Sequence, residues 1–339
     1  MNDTFLKACR GEKTDYTPIW MMRQAGRYLP AYQKIRGKVS FLELCKNPAL
    51  CVEVTLQPVD LLGMDAAILF SDILILMEAM GAKLEFNEGC GPVFPNPIKD
   101  QTALDALIIP DADDATGFVM ETIRLLRGEL QVPLIGFAGA PFTCATYLIE
   151  GGSSKVFWET KKMMFTQPEL FHGIMEKITQ ATILYLQAQA RAGAQALQIF
   201  DSWAGVLAPC DFEVFALPYV RRIIASLQQF DLPIIYFANN GSTLLEMSAS
   251  SGASVLGLDW RINIGDAGKR VPGIALQGNI DPFALLLPKD KLRKRIGTIL
   301  EDAKEVKGHI FNLGHGIHQF TPPEQARIAV DAVHELSCK

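Results

Sequence analysis

Eight short apolar runs, each followed within two residues by a polar residue or glycine, limit the fold of this chain more than any other feature. They lie at residues 19–22, 64–70, 133–137, 196–200, 233–237, 255–258, 273–276 and 309–313. All have the length of strands, and longer amphipathic stretches separate most of them. The clearest of these stretches, 168–192, places Ile174, Ile178, Ala181, Tyr185 and Ala188 at helical spacing. Strands that alternate with helices run parallel, because each helix carries the chain back to the start of the next strand. Eight such units within 339 residues predict an α/β fold, a (β/α)8 TIM barrel, as one domain over 1–339. An open doubly wound sheet is the alternative. Against it, no G-x-G-x-x-G follows the first run and no Walker loop occurs.

Between the barrel units the spacing predicts helices at 5–10, 30–35, 41–45, 48–62, 113–129, 211–229, 242–250 and 290–306. Residues 83–97 alternate around a G-C-G turn and read as a small β-hairpin insertion. Tyr147 and Glu150-Gly151-Gly152-Ser153 are expected in a lid-like loop after the third strand. Thr321-Pro-Pro-Glu324 has the spacing of a capping box that opens the last helix.

Composition narrows the function. The formal net charge is −5, and the densest basic run, Lys289 to Arg295, has the look of one solvated helix face, so nucleic acid is not the expected partner. The longest apolar stretch, Ala66 to Met80, is broken by Ser71-Asp72 and Glu78, so no membrane span is expected. The first residues lack the charged and apolar regions of a signal peptide. Seven scattered cysteines suit free, mostly buried thiols in a reducing cytoplasm.

A barrel gathers its reactive groups at the C-terminal ends of the strands. Arg23, Arg27, Asp72, Ser202, Asn239, Asp259, Gln277 and His315 all fall there. Arg23-Gln24-Ala25-Gly26-Arg27 sets two guanidiniums four residues apart around a glycine, a fork suited to planar anions, with Arg36 nine residues further on. The blander alternative pairs these arginines with structural carboxylates. No H-x-C, H-E-x-x-H or C-x-x-C occurs, so no metal site is expected, and Ser202 lacks a G-x-S-x-G elbow. On the residues alone this is a metal-free enzyme for a polycarboxylate or phosphorylated substrate.

Five segments go further. P-I-W-M-M-R-Q-A-G-R-Y-L-P at 18–30, F-S-D-I-L at 70–74, G-F-A-G-A-P-F-T at 136–143, Y-L-I-E-G-G-S-S at 147–154 and N-L-G-H-G-I at 312–317 resemble the uroporphyrinogen decarboxylase family, in order and over nearly the whole chain. The resemblance implies a cytoplasmic homodimer that needs no cofactor. It also implies a tetrapyrrole substrate, uroporphyrinogen III, whose four acetate side chains lose their carboxyl groups to give coproporphyrinogen III. It places Arg23, Arg27 and Arg36 on the substrate's carboxylates, Gln24, Ala25 and Gly26 among the substrate-binding residues, and Asp72 at the pyrrole N–H groups. Tyr147, Ser202 and His315 match polar positions of the family site, and Phe137 and Phe200 suit its apolar wall. Catalytic roles fall on Asp72, Arg23 and Tyr147, while the proton donor stays open between Tyr147, a protonated Asp72 and a bound water. A related barrel methyltransferase and a non-catalytic tetrapyrrole carrier are the competing functions.

Overall fold

The computed structural model describes residues 2–87 and 91–338. Its core is a parallel sheet of seven strands. In chain order these are β1 (Ala67–Ile68), β4 (Leu134–Gly139), β5 (Ala196–Asp201), β6 (Ile234–Ala238), β7 (Val255–Gly257), β8 (Ala275–Ile280) and β9 (His309–Leu313). Each pairs with the next, and helices cover the outside. Burial of β4 and β6 on both faces explains why they read as unbroken apolar runs. A single hydrophobic core extends from Phe5 to Val333.

The eighth expected strand, 19–22, joins the sheet through one residue pair only. Ile19 bridges Phe311 of β9 in parallel, and the Phe311 N–H donates to the Pro18 carbonyl at 2.8 Å. On the other side the Asp65 N–H donates to the Ile19 carbonyl at 2.9 Å, so the segment links the last strand to the approach of the first. It stops being a strand because side chains take over its ladder. Gln24 Oε1 accepts the Met21 N–H at 3.1 Å, and Asn312 Oδ1 accepts the Met22 N–H at 3.0 Å.

Five local expectations are corrected. The 113–129 helix is two, Ala112–Ala115 and Gly117–Glu129, parted at Thr116. The 211–229 helix breaks at Ala216 into Pro209–Phe215 and Leu217–Leu227; Pro218, in the first turn of the second, lacks the N–H that a continuous helix needs. Tyr147 lies on a helix, Pro141–Glu150, which opens with proline and ends at left-handed Gly151, rather than in a loop. Thr321 does not cap the last helix, Pro323–Ser337. Pro322 precedes another proline and is held extended, so it becomes the cap residue and leaves the Thr321 hydroxyl buried without a partner. Gln277, expected beyond the end of its strand, lies inside β8 and is fully buried.

The hairpin insertion is present as β2 (Glu85–Asn87) against β3 (Gly91–Val93), antiparallel. Residues 88–90, which include the first two positions of the expected G-C-G turn, lie outside the described residues.

Opposite the mouth, Asp65 ties the ring together. Its buried carboxylate accepts from the Ile19 N–H (2.8 Å), the Tyr16 hydroxyl (2.8 Å) and Asn2 Nδ2 (3.4 Å), and it contacts His334 Nε2 (2.7 Å). Removing it orphans a buried amide and disconnects the first segment from the last helix. Asp65→Ala should therefore cost on the order of 3 kcal/mol and lower the melting temperature by about 5 °C. A shift under about 1 °C in thermal unfolding would show that this cluster does not hold the ring.

Candidate active site

The arginine loop begins where the first segment stops. Arg23 has φ 62°, a left-handed conformation that a residue with a side chain adopts at a cost of about 1–2 kcal/mol. The turn is closed by the Gln24 N–H donating to the Met21 carbonyl at 2.9 Å. At Gly26 a Cβ would lie 2.8 Å from the Arg23 carbonyl oxygen, so only glycine fits. Arg23 and Arg27 are both exposed at the mouth, with Ala25 and Gly26 partly covered between them. Gln24 differs: its side chain is fully buried, and Nε2 donates to the Ala66 carbonyl at 3.0 Å. It supports the loop from beneath. Arg36, on helix Pro30–Arg36, donates through Nη1 to the Val39 carbonyl at 2.6 Å. Both Arg27 and Arg36 act electrostatically on Tyr32, whose hydroxyl burial pushes up to about 12.

Asp72 follows β1. One carboxylate oxygen accepts the Leu74 N–H at 2.9 Å, which fixes the group at the entry to helix Ile75–Ala79. The other accepts no hydrogen bond among the described residues. Desolvation raises the carboxyl's proton affinity above the ordinary aspartate range; the Leu74 N–H and the charge of Arg23 oppose that shift. Asp72 itself is only partly covered.

Tyr147 reaches the same space. Burial raises its pKa above the ordinary phenol value, Asp72 adds to the shift, and Trp203, Ser153 and Arg23 oppose it. Its ring lies 6.1 Å from that of Trp203. The apolar wall is a run of rings: Phe137 to Phe200 at 5.6 Å, Phe200 to Phe237 at 6.3 Å, and Phe237 to His315 at 6.5 Å. Ser202 closes the end of β5, its carbonyl accepting from Asn239 Nδ2 at 3.3 Å. His315 is pushed down to about 4, chiefly by desolvation, then by Arg23 and Arg261, while Asp259 opposes. Arg23, Asp72, Tyr147 and His315 thus share one electrostatic environment.

Two groups near the site carried no role in the sequence. Arg261 stands 4.1 Å over the Trp260 ring and 3.5 Å from Asp259, adding positive charge on the β7 side. Asp201 is fully buried at the end of β5 and accepts from the Thr143 hydroxyl (2.6 Å) and the Tyr236 hydroxyl (2.8 Å). Burial lifts its carboxyl to about 6. Because Thr143 Oγ1 also accepts the Trp203 N–H at 3.1 Å, Asp201 sets the corner against which Tyr147 packs. Neither has a motif; only the fold brings their partners together. Among the described residues no group of three His, Cys, Asp or Glu is placed to hold a metal ion.

The depressed His315 has a measurable consequence. Above pH 6.5 the imidazole is neutral in both the folded and unfolded chain. As pH falls from 6.5 toward 4 the unfolded chain takes the proton first, so the fold loses stability across that window. An NMR titration should find His315 protonating near pH 4, and His315→Gln should flatten the acid loss of stability. A midpoint near the ordinary 6.5 would contradict the burial described here.

Comparison with known proteins places the chain by sequence and by fold. The family profile described as uroporphyrinogen decarboxylase (URO-D) matches residues 1–336. A protein named uroporphyrinogen decarboxylase from Thermodesulfovibrio yellowstonii is 52% identical over 99% of this chain and 98% of its own length. Another of that name from Geobacter metallireducens is 50% identical over the full length of both. Among solved structures, a methyltransferase from Methanosarcina mazei superposes with a TM-score of 0.81 at 24% identity, covering 98% of each chain. A B12-independent methionine synthase from Shewanella sp. W3-18-1 gives 0.59 at 10% identity, covering 88% of this chain and 89% of its own. These two likenesses establish a shared fold and nothing about activity. With its profile matched almost end to end and relatives at half identity over their whole length, the chain belongs to the uroporphyrinogen decarboxylase family.

Proposed function

We propose that Asp72 is the centre on which this chain removes the four acetate carboxyl groups of uroporphyrinogen III, giving coproporphyrinogen III, CO₂ and methyl groups. The observation that carries this reading is a carboxylate with one oxygen free of hydrogen-bond partners among the described residues, in the field of Arg23, which also acts on Tyr147 and His315.

A pyrrole acetate cannot simply lose CO₂, because the carbon–carbon bond electrons need an acceptor. Protonating a pyrrole carbon creates a cationic ring. The acetate C–C bond then breaks, CO₂ leaves, and the pair moves into the ring as an exocyclic double bond. A proton added to that methylene carbon makes the methyl, and the ring carbon gives its proton back. Each round consumes one proton and releases one CO₂. A preorganised carboxylate stabilises the cation as an oxyanion hole stabilises the opposite charge. Burial raises the free energy of unpaired Asp72, and pyrrole N–H donors and the ring cation relieve that cost when substrate binds. The macrocycle presents such donors from every ring, so one fixed acceptor serves each in turn.

The eight carboxylates of the substrate need cations at the rim. Arg23 and Arg27 are exposed there, and Arg36, on the next helix, acts with Arg27 on Tyr32. Local field, not the net charge of −5, governs this capture. Neutral His315 can donate or accept a hydrogen bond without adding charge. Phe137, Phe200 and Phe237 keep the wall apolar, which strengthens every charge interaction inside. Tyr147, a protonated Asp72 and a bound water are the three candidates to pass the proton. The scheme asks for no cofactor.

A cytoplasmic homodimer belongs to the same reading. Its support is the family resemblance, together with Val156, Trp158, Phe165 and Phe320, all of them more than half exposed in the single chain. No helix among the described residues is long and apolar enough to cross a membrane.

Anaerobic incubation with reduced uroporphyrin should yield products with seven, six, five and finally four carboxyls. Asp72→Asn, isosteric and able to fold, should lower turnover by about 10²–10³-fold. Near-normal turnover in that variant would remove Asp72 from the mechanism, and no decarboxylated product from the parent protein would point to a carrier.

A further inference from the structure

Gly316 has no conformational reason to be glycine. Its φ is not left-handed, unlike those of Gly151, Gly152 or Gly278. What the position lacks is room. A Cβ placed there would stand 2.3 Å from Cδ of Arg23, 2.8 Å from its Cγ and 2.9 Å from its Nε. All three atoms belong to one side chain, two to its aliphatic stem and one to the guanidinium, and the three nearest obstacles include no backbone atom.

The two loops cannot drift apart to relieve such a clash. The Ile317 N–H donates to the Met22 carbonyl at 2.9 Å, and the Met22 N–H returns to Asn312 Oδ1 at 3.0 Å. Arg23 is itself pinned in a left-handed turn, so its Cα is fixed and only its side chain can yield. Gly26 contrasts usefully: a Cβ there would strike the Arg23 carbonyl and break the loop. At Gly316 an added methyl moves a guanidinium and little else.

We infer that Gly316 is a positioning residue for Arg23, its bare Cα being the surface on which the arginine stem lies and from which the guanidinium is aimed at the substrate. This rests on Arg23 binding a substrate carboxylate, and the test separates the two claims. Four proteins are compared with uroporphyrinogen under anaerobic conditions: the parent, Arg23→Ala, Gly316→Ala and the double variant. Arg23→Ala should raise KM at least about tenfold, as loss of a charged partner does. Gly316→Ala should raise KM about fivefold with kcat nearly unchanged and the melting temperature within about 2 °C of the parent. The double variant should be no worse than Arg23→Ala alone, because removing the stem removes the collision.

If Arg23→Ala is impaired while Gly316→Ala keeps the parent KM, the positioning role is wrong. Penalties that multiply in the double variant overturn it as well, since they would mean Gly316 acts through His315 or the backbone. Should Gly316→Ala fail to fold, the double variant must restore folding, and its failure to do so overturns the inference. If Arg23→Ala itself binds substrate normally, the carboxylate role of Arg23 falls first and the inference falls with it.

Discussion

A carboxylate surrounded by protein, opposed by one cation and tethered through a single oxygen, is the condition on which the rest of this site depends. Burying Asp72 raises its proton affinity, and the Leu74 amide and Arg23 offset only part of that effect. Such a group is costly in an empty site and well matched to a ligand that brings its own hydrogen-bond donors and then becomes positive. The same low-dielectric wall of Phe137, Phe200 and Phe237 that makes the empty carboxylate unfavourable makes it effective once the ring is protonated.

The barrel separates this tension from its own stability. At the opposite end Asp65 gathers the first segment, the approach to β1 and the last helix, with each of its contacts supplied by the protein. Through the middle, Trp20 donates to Gln277 at 2.9 Å and Gln277 to Gln198 at 3.2 Å, a polar chain crossing the interior beneath the mouth. The C-terminal ends of the strands carry left-handed Arg23, the free oxygen of Asp72 and the unpartnered amide oxygen of Asn239. That is the division expected where one face of a barrel stabilises and the other reacts.

Much of this was legible in the sequence because period and punctuation are local signals. Strands β4, β6 and β7 are buried apolar runs, and the 168–192 helix has an apolar stripe, so these were found with nearly correct bounds. The first segment misled because its composition is that of a buried strand, while the groups that end its ladder, Gln24 and Asn312, act as side chains. Thr321 misled because the spacing of a capping box says nothing about the extended backbone that a following pair of prolines enforces. Motif resemblance pointed to Arg23, Asp72, Tyr147 and His315, which the fold brings into one field. It could not show that the Gln24 side chain faces inward, nor that Asp201 and Arg261 stand beside the site, since those depend on contacts between distant strands.

The central claim is that the free oxygen of Asp72 receives the pyrrole N–H groups while the arginines hold the rim. A structure of the protein with coproporphyrinogen, prepared without oxygen, measures this directly. The expected result is a puckered macrocycle with pyrrole nitrogens at hydrogen-bond distance, about 2.8–3.2 Å, from the Asp72 carboxylate, its peripheral carboxylates turned toward Arg23 and Arg27. A tetrapyrrole seated elsewhere, with Asp72 still bonded only to Leu74, would contradict the account.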